Sequence, residues 1–340
     1  MVALSHWLTT PGADDVCWLR VESPSAVAGC RRAAATLADR LGFPAMRTDQ
    51  LALAVTEAAS NLHRHAREGL LLLRIGRDAV RSGVELVTID AGPGVPDLPA
   101  VLRDGHSTAG SLGIGLGAIR RLADTSDMYS APGHGTALAA RFWAPPAPAD
   151  AVGCAGLNRA ISGETECGDI YAADRSDGGV LTGVLCDGLG HGPLAAAAAR
   201  VAIAAVQEDP AAEPAALLER AHRQMARTRG GALAIVRIDG SSVAFAGLGN
   251  IAGWIVTGDL RTGLVSVPGI AGHQARSVRQ FSYPLPPGAA VVLHSDGLTS
   301  RWDIRALPGL VTRDPLVIAA MLLGEAAVRR DDAGVLVLKP

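Results

Sequence analysis

The chain has 340 residues, of which 19% are charged, and a formal net charge of -2 at pH 7. This length allows two domains with separate hydrophobic cores. The balanced charge argues against a strongly basic surface. Binding to nucleic acids or to anionic membranes depends on such a surface, so neither is predicted as a partner.

Cysteine usage and hydropathy indicate the compartment. No two of the five cysteines have the close spacing of a zinc or redox motif; they are Cys17, Cys30, Cys154, Cys167 and Cys186. Reduced thiols are therefore expected. The chain starts without a basic stretch followed by an apolar core, and its most apolar stretch, residues 193–206, is too short to span a bilayer. We expect a cytoplasmic protein.

The first half alternates between strands and helices. Residues 16–21 form a predicted strand, and Pro24 then begins a helix that runs to about Leu41. Thr48 can cap a second helix that runs to about Ala66. The remaining predicted elements are a helix at 118–123 and strands at 70–75, 84–89 and 136–142. This order predicts an α/β sandwich with helices on one face of a mixed sheet.

A proline-rich stretch separates the two halves. The sequence Ala-Pro-Pro-Ala-Pro-Ala at 144–149 favours an extended spacer. We therefore predict a first domain at 1–143, a linker at 144–150 and a second domain at 151–340.

The second half is richer in strands. Long helices are predicted at 193–206, 214–227 and 315–328, and strands at 169–173, 180–186, 232–238, 242–246, 253–256, 290–294 and 334–338. Many strands with a few long helices indicate a core of stacked sheets that is flanked by helices. The chain as a whole is therefore predicted to be an α+β protein of two domains.

Polar residues of the first half suit a nucleotide site. Glu57 and Asn61 are four residues apart on a predicted helix, so they share a face and can hold a hydrated magnesium ion beside phosphates. Asp90 follows an apolar strand, where its carboxylate can accept a hydrogen bond from an exocyclic amine. Gly92 and Gly94 let the backbone approach a base closely. A further set of glycines precedes a helix and suits phosphate oxygens: Gly113, Gly115 and Gly117.

In their order and spacing, these motifs resemble those of the GHKL (Bergerat-fold) ATPases, in particular the anti-sigma-factor serine kinases of bacterial partner switches. The resemblance implies ATP with Mg²⁺ as the ligand, Asn61 as the magnesium ligand and Asp90 as the partner of the adenine amine. It also implies that Glu57 acts as the base toward a serine hydroxyl and that the Thr136 hydroxyl lies near the adenine. The segment between Asp97 and Ser111 is short, as in the kinase branch of the family.

Aspartates of the second half suit a pair of divalent ions. Asp187-Gly188 and Asp296-Gly297 each follow an apolar strand, Asp169 begins another strand, and Asp331-Asp332 precedes the last one. Magnesium and manganese prefer oxygen ligands, and several carboxylates at one end of a sheet can hold two such ions. The ions can then direct an activated water at phosphorus.

This pattern resembles the PPM-type, metal-dependent protein phosphatases in their SpoIIE-like branch. The resemblance implies a PPM-type α-β-β-α sandwich with two Mn²⁺ or Mg²⁺ ions. Asp187 and the Gly188 carbonyl would bridge both ions, Asp169 and Asp296 would each serve one, and Asp331 would complete the site.

Three positions qualify the resemblance to the phosphatases. Gly334 stands where a threonine is typical, and Asn250 falls in a stretch that looks like that of stress-response phosphatases. His191 could donate a proton to the leaving serine, and the alternative is a loop histidine without that role.

Together the two resemblances predict a metal-dependent protein serine/threonine phosphatase with an ATP-binding, kinase-like domain, acting in a bacterial partner switch. The expected partner is a phosphorylated STAS-domain anti-sigma-factor antagonist or a similar small regulatory protein. Two alternatives stay open: a phosphatase gated by a nucleotide sensor without kinase activity, and a non-catalytic scaffold. The sequence also leaves open the choice between Mg²⁺ and Mn²⁺ and whether the chain forms a homodimer.

Overall fold

The computed structural model describes residues 7–77, 81–95, 98, 115–144, 153–176, 178–275, 277–328 and 330–340. The chain folds into two compact units. One unit comprises Pro11–Ala151, and the other comprises Val152–Pro340 together with the chain up to Thr10. None of the described helices is both long and apolar enough to cross a membrane.

The first strand, β1 (Leu8–Thr9), belongs to the C-terminal unit. It pairs with the strand that contains Ala172 and Ala173 in an antiparallel register, and Thr10 forms hydrogen bonds with the backbone of Tyr171. Trp7 and Leu8 also pack against the hydrophobic cores of that unit. The division therefore differs from the predicted first domain of 1–143, because a pairing across more than 160 residues leaves no local trace in the sequence.

The N-terminal unit has a five-stranded sheet in the order β2-β3-β4-β6-β5. Its elements are β2 (Val16–Arg20), α1 (Pro24–Arg40), α2 (Ala45–His65), β3 (Leu70–Arg77), β4 (Ser82–Asp90), α3 (Gly115–Leu122), β5 (Thr125–Ala131) and β6 (Gly135–Ala144). Every neighbouring pair is antiparallel, so the expected mixed sheet is corrected to an antiparallel one. The polar strand β5 is an addition to the predicted elements.

The helices of this unit cover one face of its sheet. Ser23 caps α1 by accepting a hydrogen bond from the Ala26 amide, and Pro24 occupies the first turn. Alternate residues of β3 and β4, such as Leu73 and Leu86, form one buried core with the apolar faces of α1 and α2. This alternation is the period-two pattern of a sheet that is packed on one face by helices.

The C-terminal unit contains two stacked sheets. The first has the order β1-β8-β9-β10-β11-β14, and the second has the order β13-β12-β15-β16-β7. Its further elements are β7 (Cys154–Arg159), β8 (Asp169–Arg175), β9 (Leu181–Gly188), α4 (Pro193–Gln207), α5 (Pro214–Gln224), β10 (Gly231–Asp239), β11 (Ser242–Leu248), β12 (Ala252–Val256), β13 (Arg261–Leu264), β14 (Phe281–Pro284), β15 (Ala290–His294), α6 (Pro315–Ala326) and β16 (Ala333–Leu338).

Two hydrophobic layers hold this unit together. Tyr171 and Phe245 from the first sheet pack with Leu293 and Leu336 from the second. On its other face, the first sheet packs against alanine-rich α4 and against α5, while α6 covers β7 and β16 of the second sheet. This arrangement confirms the predicted α-β-β-α sandwich.

A buried ion cluster crosses the N-terminal sheet. Glu85 of β4 accepts hydrogen bonds from Arg74 of β3 at 2.7 Å and from Arg141 of β6 at 2.9 Å. Burial alone would raise the pKa of Glu85, but the two guanidinium groups lower it to about 2. Since removal of one member leaves buried charges uncompensated, the three residues are strongly interdependent.

We predict that Glu85→Gln lowers the free energy of unfolding of the N-terminal unit by about 3 kcal/mol, because two buried arginines lose their counter-charge. The low pKa means that the stabilising charge is present above about pH 4.5 and is lost as the pH falls toward 2. The deficit relative to wild type should therefore shrink over that range. Calorimetry of the full chain measures it. Exposed Glu22→Gln is the matched control, and an equal loss in both variants contradicts the prediction.

Candidate metal and nucleotide sites

Asp169 and Asp187 meet at one end of the first sheet of the C-terminal unit. Asp169 is the first residue of β8, and Asp187 lies at the end of β9. Because the two strands are antiparallel, the start of one lies beside the end of the other, and the register places these residues opposite each other. Two carboxylates that belong to different sequence motifs thus become direct neighbours.

Asp296 and Asp331 reach the same place from the second sheet. Asp296 comes just after β15 ends, Asp331 comes just before β16 begins, and these two strands are antiparallel neighbours. The turn after Asp296 is tightly packed, since a Cβ on Gly297 would lie 1.7 Å from the carbonyl oxygen of Asp332. The structure therefore brings together all four aspartates that the sequence identified.

The electrostatics of this cluster favour a bound cation. Burial together with the charges of Asp296 and Asp331 raises the pKa of Asp187 to about 7. Asp169 is almost fully buried, and burial together with the charge of Asp187 raises its pKa well above the usual range. Asp296 and Asp331 are exposed, so the cluster runs from a buried base to an open rim. Among the described residues, the charges that act on the pKa values of Asp169, Asp187 and Asp296 are those of other aspartates.

Serine and asparagine side chains orient Asp169 and Asp296. The Ser295 hydroxyl donates to Asp169 Oδ2 at 2.5 Å and accepts a hydrogen bond from the Gly334 amide at 2.9 Å. Asn250 Nδ2 donates to Asp296 Oδ2 at 2.6 Å. The sequence analysis named Asn250 but assigned it no role. It did not identify Ser295 as a functional residue, although Ser295 directly precedes Asp296.

Asp332 is a further acidic residue whose role the sequence did not predict. It is buried, and its carboxylate accepts hydrogen bonds from the Ile161 amide at 2.7 Å and from the Gly168 amide at 2.6 Å. It therefore holds the loop that leads into Asp169. The Asp331-Asp332 pair was a visible signal, but only the fold shows that the second aspartate faces inward while the first is exposed.

Glycines allow the close packing of this site. A Cβ on Gly188 would lie 2.1 Å from the Ala195 carbonyl oxygen, so the start of α4 rests against the Asp187-Gly188 turn. A Cβ on Gly334 would lie 2.8 Å from the Cβ of Asp169. Gly334, at the position where the resemblance leads one to expect threonine, therefore leaves the space that the side chain of Asp169 occupies.

The oxygen atoms of the four aspartates are suitable ligands for divalent ions. The cluster offers only oxygen donors, the type that Mg²⁺ and Mn²⁺ prefer. Across the described residues, no three acidic, histidine or cysteine side chains stand in the geometry of a finished ligand set. Asp169 and Asp296 are instead engaged by Ser295 and Asn250.

The turn after Asp187 carries His191. The His191 Nδ1 lies 2.8 Å from Glu164 Oε1, and the side chain of His191 is mostly exposed. This contact ties the turn to the loop before β8 and fixes the orientation of the imidazole.

The predicted nucleotide residues also gather, at one end of the N-terminal sheet. Glu57 and Asn61 of α2 both face the start of α3, where a Cβ on Gly115 would lie 3.5 Å from Asn61 Nδ2 and 3.6 Å from Glu57 Oε2. Gly115 and Gly117 already belong to the first turn of α3, although they were expected to precede the helix. Gly113 lies outside the described residues.

Asp90 ends β4 and is opposite Thr136 of β6. Its Oδ1 accepts a hydrogen bond from the Gly92 amide at 2.7 Å, while burial raises the pKa of Asp90. The Thr136 hydroxyl lies 2.9 Å from that of Ser130, which in turn accepts from the Val95 amide. These contacts fix the strand ends around Asp90.

Gly94 requires glycine for two reasons. Its φ of +78° is unfavourable for other residues, and a Cβ would lie 2.3 Å from the Ala131 carbonyl oxygen. The backbone after Asp90 therefore lies against the end of β5.

Comparison with known proteins supports both domains. A model of the histidine kinase-like ATPase domain matches residues 21–142. Serine/threonine-protein kinase RsbT of Bacillus subtilis (strain 168) is 31% identical over 130 residues, which are 38% of this chain and 98% of RsbT. The chain belongs to the histidine kinase-like ATPase family. Its RsbT-like domain is followed by a PPM-type phosphatase domain, for which a model of stage II sporulation protein E (SpoIIE) matches residues 177–339. Both predicted resemblances are thus confirmed.

Solved structures give further similarities. A chain from the bacterial stressosome, a modular system adapted to control secondary messenger signalling, is 28% identical with a TM-score of 0.49, and the match covers 55% of this chain and 98% of that one. RsbX in complex with magnesium is 20% identical with a TM-score of 0.48, and the match covers 54% of this chain and 92% of that one.

We predict that Ser295→Ala weakens Mn²⁺ binding to the SpoIIE-type domain by roughly 10- to 100-fold, because Asp169 loses the hydroxyl that orients it. Titration calorimetry with Mn²⁺ measures the affinity. Thr299→Ala is the matched control, since it removes a hydroxyl from the same loop at an exposed position whose contact is with the Arg301 amide. Equal affinities in wild type and Ser295→Ala would rule out this positioning role.

Proposed function

We propose that the C-terminal domain hydrolyses phosphoserine or phosphothreonine on a small regulatory protein, and that the N-terminal domain binds ATP with Mg²⁺. The observation that carries the phosphatase proposal is the convergence of four aspartates, with the pKa of Asp187 raised to about 7 by burial and by its acidic neighbours. A cluster of that kind requires a cation to stay ionised at neutral pH. A purely non-catalytic scaffold gives no reason for it.

In this proposal each aspartate has a defined task. Asp187 and the Gly188 carbonyl would be shared by two Mn²⁺ or Mg²⁺ ions, Asp169 and Asp296 would each serve one, and Asp331 would complete the site. Such ions would supply an activated water and would neutralise charge on the phosphoryl oxygens.

The surrounding protein keeps these groups in place and accessible. Ser295 orients Asp169, and Asn250 orients Asp296. The exposed rim formed by Asp296 and Asp331 leaves the phosphoester a path to the site.

The N-terminal domain is proposed to act as a serine kinase. Asp90 would accept a hydrogen bond from the adenine amine, Thr136 would lie near the base, and Asn61 would hold Mg²⁺. Glu57, one helical turn before Asn61 and beside the same Gly115, would take the proton from a serine hydroxyl. The similarity to a serine/threonine-protein kinase supports this choice over a nucleotide sensor without kinase activity.

A kinase-like domain and a phosphatase domain on one chain suit a partner switch. We propose a STAS-domain anti-sigma-factor antagonist as the common substrate, in the cytoplasm, where the five free cysteines would stay reduced. Nucleotide occupancy would then set the phosphorylation state of the partner. Identical phosphatase rates with ATP, with ADP and without nucleotide would refute this coupling.

We predict that Asp187→Asn abolishes Mn²⁺-dependent hydrolysis of a serine-phosphorylated STAS protein, with a loss of more than about a hundredfold. The same variant should unfold at a higher temperature than wild type in EDTA, because one charge leaves a repelling cluster. Excess Mn²⁺ at 100 times its Kd should stabilise wild type by about 2.7 kcal/mol and the variant by less. Release of phosphate and calorimetry measure the two effects. Exposed Asp259→Asn is the control. Metal-dependent turnover by Asp187→Asn would contradict the assignment of Asp187 as a metal ligand.

For the N-terminal domain we predict that Asp90→Asn weakens ATP binding by at least about tenfold, because an amide presents a different donor pattern to the adenine amine. Glu57→Gln should retain ATP binding and lose transfer of labelled phosphate to the STAS protein. Exposed Asp39→Asn, on α1, should change neither. If Glu57→Gln and wild type transfer phosphate equally, Glu57 is not the base; if wild type binds ATP without any transfer, the domain is a sensor.

A further inference from the structure

Two exposed leucines flank the carboxylate cluster of the SpoIIE-type domain. Leu189 follows the Asp187-Gly188 turn with 52% of its surface exposed, and Leu194 lies in the first turn of α4 with 60% exposed. Both leucines are close to the cluster along the chain, since Leu189 is two residues after Asp187 and Leu194 is seven residues after it. We call Leu189 and Leu194 the apolar rim.

The backbone fixes Leu194 beside the site. Its neighbour Ala195 is fully buried, and the Ala195 carbonyl oxygen would lie 2.1 Å from a Cβ on Gly188. The Ala195 methyl group would likewise lie 2.9 Å from a Cβ on Gly168, the residue before Asp169. The start of α4 is therefore packed against Gly168 and Gly188, the residues next to Asp169 and Asp187, while Leu194 is exposed to solvent.

Leu189 is held on the other side of the same turn. Its amide donates to the Gly230 carbonyl at 2.9 Å, which anchors it to the loop before β10. The guanidinium of Arg229 lies near Gly190, where it would be 3.1 Å from a Cβ. The turn is thus bordered by a cation as well as by the apolar rim, while His191 between the leucines is tied to Glu164.

We propose that the apolar rim receives an apolar side chain next to the phosphoserine of the protein substrate. This inference rests on the proposed phosphatase function: a phosphoserine bound at the cluster would bring its flanking residues close to the turn between Asp187 and α4. In this proposal those flanking residues contact Leu189 and Leu194, and an isolated phosphate or a small aryl phosphate has no such residues. The rim therefore selects among phosphoproteins and contributes nothing to the chemical step.

Two synthetic phosphoserine peptides test the proposal, one with leucines flanking the phosphoserine and one with serines at the same positions. Wild type should hydrolyse the leucine peptide with a kcat/KM roughly tenfold higher, the scale expected for partial burial of leucine side chains. Leu189→Ser combined with Leu194→Ser should remove this preference. Hydrolysis of p-nitrophenyl phosphate with Mn²⁺ should be the same in both proteins.

Leu260→Ser is the matched control, because Leu260 is equally exposed, at 66%, but lies in the turn between β12 and β13. It should leave the peptide preference intact. The proposal is overturned if wild type shows no preference, if the double variant keeps it, or if p-nitrophenyl phosphate turnover falls as well. A change of oligomeric state in light scattering with an unchanged preference would assign the leucines to a contact between copies instead. Absence of Mn²⁺-dependent hydrolysis of all three substrates by wild type would refute the phosphatase function itself.

Discussion

Mutual repulsion among carboxylates is the constraint on which the C-terminal domain is built. Asp169, Asp187, Asp296 and Asp331 come from two different sheets, and burial raises the pKa of the inner pair. Such a cluster destabilises the fold unless other groups hold it. The two-layer apolar core and the hydrogen bonds from Ser295 and Asn250 supply that support. Part of the packing energy of the domain is therefore used to keep acidic groups close together.

Both domains bring polar residues together at one site, but they place these residues on different elements. The N-terminal domain places Glu57 and Asn61 on a helix and Asp90 on a strand end, and it relies on glycines for close approach of the backbone. The C-terminal domain places the four aspartates of the cluster at or next to strand ends. In both cases antiparallel pairing is what turns distant motifs into neighbours, as the Asp90–Thr136 and Asp169–Asp187 registers show.

The sequence predicted much of this arrangement because the relevant signals are local. An apolar run followed by Asp-Gly marks a strand that ends in a carboxylate, and this pattern identified Asp187 and Asp296. Ser295 and Asp332 were not identified, because their roles depend on partners 126 and 164 residues away. Strands β5, β13 and β14 were missed for a similar reason: they are short or polar, and pairing with a neighbour stabilises them more than their own composition does.

The position of β1 has a consequence for how the chain is divided. Because Leu8 and Thr9 complete the edge of the first phosphatase sheet, the ATPase domain is topologically an insertion between two parts of the phosphatase domain. A fragment that starts at the proline-rich linker would therefore lack its outermost strand and leave the backbone of β8 open to pairing with other chains. Expression of the phosphatase half alone is better served by grafting the segment around β1 onto its start than by cutting at the linker.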